Sequence, residues 1–269
     1  MPTPEVTILI PNYKTLELTK LCLRLIRKHT DPSLAHVIVI DNDSQDASLE
    51  YLRTLSWIEL IERKQIPGES PVLSHSRALD LALEKVTTPY VLSIHTDTLV
   101  RNKNWLSFLL NQIKTGDAAG VGSWKLEAKP IWKDILKIAE RYLQRVYYNV
   151  ISKKNHSLEG LDKNHLYLRS HCALYRTDLI KKYKTGFSDG EEVAGKAMHR
   201  KLLFHGHKMI FLPSDILLNY MDHINHATTV LNPTLSRSKK SVSKGLRRIQ
   251  KSLEGFQAEK ILLDVSLDN

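Results

Sequence analysis

The sequence predicts an α/β protein: a Rossmann-like, mostly parallel sheet flanked by helices, with a helical insertion and a helical C-terminal tail. Three observations carry this expectation. Over the first 100 residues, short β-branched apolar runs alternate with segments whose apolar residues recur at spacings of three and four. That alternation implies parallel strands joined by right-handed helical crossovers. Each apolar run stops at a short polar turn, where the carboxyl edge of such a sheet presents ligand-binding groups. Finally, 269 residues with 42% hydrophobic content can bury a large core.

The first strand is Val6-Thr7-Ile8-Leu9-Ile10, ended by Pro11-Asn12-Tyr13. A helix follows over residues 16–29, where Leu18, Leu21, Cys22, Leu25 and Ile26 share one face. Val37-Ile38-Val39-Ile40 is a second buried strand, closed by Asp41-Asn42-Asp43-Ser44-Gln45-Asp46. Residues 48–55 continue as a helix, 58–62 as a weaker strand and 72–86 as a third helix. Tyr90-Val91-Leu92-Ser93-Ile94 then delivers His95-Thr96-Asp97-Thr98 to the same edge, so the lone carboxylate of Asp97 is placed for chemistry. No G-x-G-x-x-G turn and no P-loop is present, which argues against dinucleotide binding and ATP hydrolysis.

Three polar strand ends remain: Ile10-Pro11-Asn12-Tyr13, Val39-Ile40-Asp41-Asn42-Asp43-Ser44-Gln45-Asp46 and Ile94-His95-Thr96-Asp97-Thr98. Their order, spacing and strand context, over roughly residues 5–110, resemble the signatures of family-2 glycosyltransferases with the GT-A fold, notably the rhamnosyltransferase-like branch. The resemblance implies that Pro11 and Tyr13 line a base pocket, that Asp41 reads the base with Asp43 beside it, and that Asp97 binds a divalent cation, Mn²⁺ or Mg²⁺. An Asp-rich turn also caps itself, so a purely structural role stays open for Asp41 and Asp43, as does an N-cap role for Asp97. One position departs from the family pattern: the leading aspartate of its D-x-D motif is His95 here. His95 is counted with the nucleotide site, and three roles are open to it: contact with ribose, metal ligation or space filling. Arg77, near the start of the third helix, stands where the family places basic residues beside the diphosphate; a solvated helix Arg is the plain alternative.

Beyond the motif, residues 104–113 read as a helix beginning at Trp105, and Ala118-Ala119-Gly120-Val121-Gly122-Ser123 as a small-residue strand suited to close approach of a sugar. Residues 131–151 keep helical period with Lys133, Lys137 and Arg141 facing away, which suits either packing on the sheet or an interfacial acceptor platform. Residues 166–175 read as a strand, 193–205 as a helix, and 208–212 and 216–220 as strands. The resemblance makes Glu191 and Glu192 the catalytic acid pair, one of them the base, although both also suit a helix's first turn. It likewise makes His223 and His226 candidates to complete the metal site, against a structural role for each. Residues 235–263 read as a tail helix.

Charge is localised. The net +10 is concentrated in residues 125–154, with eight Lys/Arg against three Asp/Glu, and 236–251, with seven Lys/Arg and no acid. Without a zinc-finger spacing or an aromatic ribonucleoprotein signature, no nucleic acid is expected as partner. Cys22 and Cys172 read as small buried hydrophobes. No long apolar run and no signal peptide is seen, so a cytoplasmic protein is expected, peripheral at the inner face of the membrane if the basic tail meets anionic lipid. The expected organisation is a GT-A domain over residues 1–232, made of a nucleotide-sugar half (1–123), a helical insertion (124–165) and an acceptor half (166–232), followed by a basic tail (233–269). The resemblance implies an inverting hexosyltransferase that moves a sugar from a UDP- or dTDP-sugar donor to a glycan or lipid-linked acceptor in cell-surface polysaccharide synthesis, with a homo-oligomer open. The alternative is a weak or inactive GT-A-like protein that binds as a basic peripheral module.

Overall fold

The computed structural model of the chain describes residues 3–126, 165–224, 230 and 239–269. Four strands begin the main sheet: β1 (Val6–Asn12), β2 (Ala35–Asn42), β3 (Glu59–Arg63) and β4 (Tyr90–Ile94). Between them lie α1 (Leu16–His29), α2 (Ala47–Thr54) and α3 (Pro71–Leu83). These are the elements that apolar periodicity predicts, shifted by a few residues at their ends. Side-chain caps fix two of the helix starts: Asp46 accepts from Ser48 N at 2.9 Å, and Ser70 accepts from Leu73 N at 3.3 Å with Pro71 opening the helix.

All four strands are parallel, with β1 between β2 and β4 and with β3 outside β2. The connections run one way from β1 to β3 and then return to its other side. The crevice at the carboxyl ends of β1 and β4 is therefore the switch point where such sheets bind ligands. Successive strand residues face opposite layers. Ile8, Ile10, Val37, Val39, Leu92 and Ile94 pack with the buried faces of α1 and α4 (Trp105–Thr115), whereas Leu9, Ile38, Ile40 and Val91 pack with Ala78, Leu79 and Ala82 of α3. Both faces are covered, so the strands read as continuous apolar runs. Each buried Ile, Leu or Val contributes about 1.5–3 kcal/mol.

The second half adds β5 (Thr98–Val100), β6 (Gly120–Gly122), β7 (Cys172–Arg176), α5 (Thr177–Lys182), α6 (Lys196–Phe204), β8 (Met209–Phe211), α7 (Ser214–Leu217) and β9 (Met221–His223). The sheet order is β3-β2-β1-β4-β7-β6-β8, with β7 antiparallel to β4 and β6. A separate two-stranded ribbon joins β5 to β9. Residues 216–220 are not the expected strand: Pro213 opens the short helix α7, whose Leu217 is buried while Ile216 is exposed. The helix expected from 193 starts at Lys196, because Gly195 adopts φ 77° just before it. At Gly122, an added Cβ would lie 2.1 Å from the Cys172 carbonyl oxygen, so the close approach of β7 requires this small residue. The predicted helix 131–151 lies outside the described residues.

The tail is two helices, α8 (Lys239–Gly255) and α9 (Ala258–Leu263), broken where Gln257 takes φ 49°. Its apolar edge turns inward: Ile249, Ala258 and Ile261 join the core beside α1, and Leu253 packs on them, while Leu246 stays exposed. Arg24, buried in α1, donates to both Asp268 carboxylate oxygens at 2.8 and 2.5 Å and to the Ile261 and Leu262 carbonyls. Tyr51 donates to Asp268 at 2.7 Å. The last turns are thus bound to the first two helices.

Candidate active site

β4 ends at Ile94, and the chain turns through His95, Thr96 and Asp97 into β5, with Thr98 N donating to the His95 carbonyl at 3.0 Å. The ribbon sets Thr98 opposite His223, and Ile224 N donates to the Asp97 carbonyl at 2.9 Å. Two distant segments therefore meet at one carboxylate. His223 Nε2 lies 3.2 Å and His95 Nδ1 3.8 Å from Asp97 Oδ1. Asp97 is 4% exposed, and one ligating atom from each of the three residues lies within 4.8 Å of the others. These separations are of the order that two donors take around one first-row ion, whose metal–ligand bonds are about 2.0–2.2 Å. His223 Nδ1 is buried with no hydrogen-bond partner among the described residues. An imidazole so placed, facing a buried carboxylate, fits a bound cation.

Further imidazoles surround this group. Ser170 Oγ lies 2.9 Å from His95 Nε2 and 3.1 Å from His75 Nε2, and the two rings meet edge to face. His171 stacks on His223 with centroids 4.3 Å apart and makes a 2.7 Å hydrogen bond with the Ser123 hydroxyl. Burial, which penalises the imidazolium, lowers the pKa of His75 to about 4 against the opposing pull of Asp97. Burial first and the neighbouring imidazoles second bring His95 to about 3, and His171 is lowered well below its ordinary value for the same reasons. These rings are neutral near pH 7, the state in which imidazole binds metal.

The remaining predicted residues divide between this site and its surroundings. Asp41 is buried; Asn12 Nδ2 donates to its Oδ1 at 2.7 Å and Ser44 N to its Oδ2 at 3.0 Å, so both oxygens are engaged within the protein. Asp43, at φ 64°, accepts from Gln45 Nε2 at 2.7 Å. Pro11 and Tyr13 are half-buried at the end of β1. Arg77 donates to Glu69 at 3.0 Å and lies 3.9 Å from Glu191. Glu69, whose side chain is 2% exposed, also binds Arg63 through both oxygens; burial alone would raise its pKa, but the two cations outweigh it and hold the carboxylate low. Glu191 is 77% exposed and adopts φ 52°, an uncommon conformation for a non-glycine residue. Glu192 is bound by Arg200 at 2.9 Å and Lys196 at 3.3 Å; burial pushes its pKa up, but these ion pairs prevail and lower it. His226 lies outside the described residues.

The sequence model of the family described as glycosyl transferase family 2 matches residues 7–184, two thirds of the chain. The chain belongs to glycosyl transferase family 2. The structure is also similar to solved glycosyltransferases. The mannosyltransferase PcManGT from Pyrobaculum calidifontis, in complex with GDP-Man and Mn²⁺, aligns with TM-score 0.52 and 18% identity over 78% of this chain, which spans 55% of that protein. S. aureus TarS 1-349 aligns with TM-score 0.53 and 14% identity over 97% of this chain and 75% of that one. Its complex with UDP gives TM-score 0.52, 16% identity and coverages of 96% and 69%. At these identities the similarity establishes the GT-A fold. No curated protein sequence gives a significant match.

In this family-2 fold, residues that motif reading alone does not single out support those it does. His75 belongs to an ordinary-looking helical segment, and only the meeting of α3 with the segment before β7 brings it to Ser170. Asp80, also on α3, accepts from Phe187 N at 2.6 Å, Ser188 N at 2.8 Å and the Ser188 hydroxyl at 2.5 Å. It anchors the loop that carries Glu191 and Glu192. Its only sequence signal was an acid on the polar side of an amphipathic helix.

Proposed function

We propose that this family-2 chain is an inverting, cation-dependent hexosyltransferase that moves a sugar from a UDP- or dTDP-sugar to a glycan or lipid-linked acceptor in cell-surface polysaccharide synthesis, as in the rhamnosyltransferase-like branch. The observation that carries the reading is the meeting of His95, Asp97 and His223 at the carboxyl end of β4, beside the β1 loop of Pro11 and Tyr13. A divalent cation there would neutralise the leaving diphosphate, a Lewis-acid contribution of several kcal/mol. That PcManGT was solved with GDP-Man and Mn²⁺, and TarS with UDP, supports a nucleotide-sugar donor.

Pro11, Tyr13 and Asp43 then hold the base, with Asp41 stiffening their loop through Asn12 and Ser44. Arg77, tethered by Glu69, faces the diphosphate side of the crevice. As base we assign Glu191, because Glu192 is already neutralised by two cations while Glu191 is open to an incoming hydroxyl. The strained backbone at Glu191 fits a residue held for use rather than for stability. Attack on the anomeric carbon opposite the diphosphate inverts its configuration. Residues 1–232 form the transferase domain, halved by the 124–165 insertion. The basic tail, exposed at Arg247 and Lys251, gives an anionic membrane surface a place to meet it, and a second copy of the chain is the other partner it suits.

The test is cation-dependent turnover across a panel of nucleotide sugars, with Asp97→Ala as control. Turnover that needs a divalent cation and disappears in Asp97→Ala is expected. Turnover in the variant at the wild-type rate would remove Asp97 from the chemistry, and no turnover of any donor by the wild type would favour the binding-module alternative.

A further inference from the structure

The transferase reading supplies only the place where a cation sits; the identity of the cation rests on the donor atoms offered there. The family motif offers two carboxylates on the strand end, and this chain offers one imidazole and one carboxylate, with a second imidazole delivered by β9. His95 is not free to serve elsewhere. Its Nε2 is taken by Ser170 Oγ at 2.9 Å, and its Nδ1 faces Asp97 Oδ1 from 3.8 Å, beyond hydrogen-bond reach. The Ser170 hydroxyl has one proton and also contacts His75 Nε2 at 3.1 Å. When Ser170 donates to His75 it must accept from His95 Nε2–H, which leaves a lone pair on His95 Nδ1, on the side of Asp97. A metal-ligating histidine is commonly oriented in this way by a hydrogen bond at its other nitrogen. On the opposite side, His171, fixed by Ser123, stacks on His223 and holds that ring beside the same carboxylate oxygen.

We propose that His95 is a direct ligand, and that the site takes its cation through two imidazole nitrogens and one carboxylate oxygen, with Ser170 and His75 as positioning residues. Such a donor set selects Mn²⁺, Co²⁺ or Zn²⁺ over Mg²⁺, because Mg²⁺ requires oxygen ligands and keeps its water, whereas imidazole binds the later first-row ions progressively better.

The full-length chain, stripped with chelator, is titrated with Mn²⁺ and the free ion is read by EPR, with Mg²⁺ as competitor. Pulsed EPR of the bound ion counts the coordinated imidazole nitrogens. Two nitrogens are expected, with Mn²⁺ bound at least about 100-fold more tightly than Mg²⁺. In His95→Asp one nitrogen should remain and the Mn²⁺-to-Mg²⁺ ratio should fall about tenfold or more. Ser170→Ala should weaken Mn²⁺ binding by about 10–100-fold with Tm unchanged, and Ser170→Thr should restore it. One nitrogen or none in the wild type, no binding of any cation, or the same ratio in His95→Asp would each overturn the proposal. None of these readouts involves a donor sugar. If they fail while turnover is found, the transferase reading stands, and a two-imidazole ion without turnover of any donor leaves the metal assignment standing alone.

Discussion

Asp268→Ala is expected to destabilise the protein by about 2–3 kcal/mol, although the residue lies in the last turn of the described chain. The magnitude comes from the groups the substitution strands. Arg24 has a side chain only 4% exposed, and its two charge-assisted bonds to Asp268, at 2.8 and 2.5 Å, are lost together with the Tyr51 bond at 2.7 Å. Removing one partner of a buried pair typically costs about 3–5 kcal/mol, and Asp268, 21% exposed, admits enough water to bring that figure down. The carbonyls of Ile261 and Leu262 still receive one guanidinium nitrogen, which lowers it further. At about 2–4 °C per kcal/mol for a chain of this size, Tm should fall by roughly 4–12 °C in a thermal melt at pH 7. Arg24→Met combined with Asp268→Ala should recover part of the loss, since no uncompensated charge remains. The effect should also depend on pH. The Arg24 hydrogen bond, helped by Tyr51, outweighs the upward push of burial and leaves the folded-state pKa of Asp268 below its ordinary value, so the wild-type advantage is present above about pH 4 and is lost as pH falls through that lower value. A variant melting within about 1 °C of wild type at pH 7, or a double variant no better than the two losses added, would refute the reasoning.

Glu191→Gln should lower turnover by about 10²–10⁴ and Glu192→Gln by far less, as seen in initial rates; equal, near-full activity of both would remove the loop from the mechanism. His199 is fully buried, and its pKa is lowered to about 4 by burial first and by His165 second. Its contribution is therefore complete above pH 6.5 and is lost as pH falls toward 4, so His199→Gln should flatten the decline in urea-unfolding free energy over that window by up to about 1.4 kcal/mol per pH unit. Arg247→Gln with Lys251→Gln should weaken sedimentation with anionic liposomes about 30-fold at low salt, at about 1 kcal/mol per cation, without touching the inward-facing Ile249; a wild-type chain that ignores such vesicles would dismiss the membrane partner.

The nucleotide half was legible because each of its elements buries an apolar stripe that periodicity records: β1 to β4 and α1 to α3 appear where Val6, Leu21, Val37 and Leu79 require them. Asp97 was legible for a related reason, since a buried strand has to end somewhere and its first carboxylate then stands at the edge. The ribbon was not, because β5 and β9 are three residues each and carry no period. His223 could be named only through resemblance, and its pairing with Thr98 is a long-range fact. His75 and Asp80 were illegible for the opposite reason: they occupy unremarkable helical positions and act only through a partner about a hundred residues away. The tail was legible as helix but not in its docking: one helix is expected over 235–263, whereas Gln257 divides it in two, and Ile249 and Ile261 pack beside α1.

One consequence concerns how such a protein can change. β6 and β7 are antiparallel neighbours, with Gly122 opposite Ala173, yet the chain between them runs through residues 123–171. The two ends of that excursion are stitched together, since Ser123 N donates to the Cys172 carbonyl at 3.1 Å and Arg169 N to the Ser123 carbonyl at 3.0 Å. The pairing of β6 with β7 is therefore closed at Ser123 and Arg169, on the near side of everything that lies between. Such a port accepts exchange of its contents at little thermodynamic cost, because closure entropy grows only with the logarithm of loop length. A lineage could therefore exchange the residues between these two ends while β1, β4 and the imidazole cluster went on folding as before.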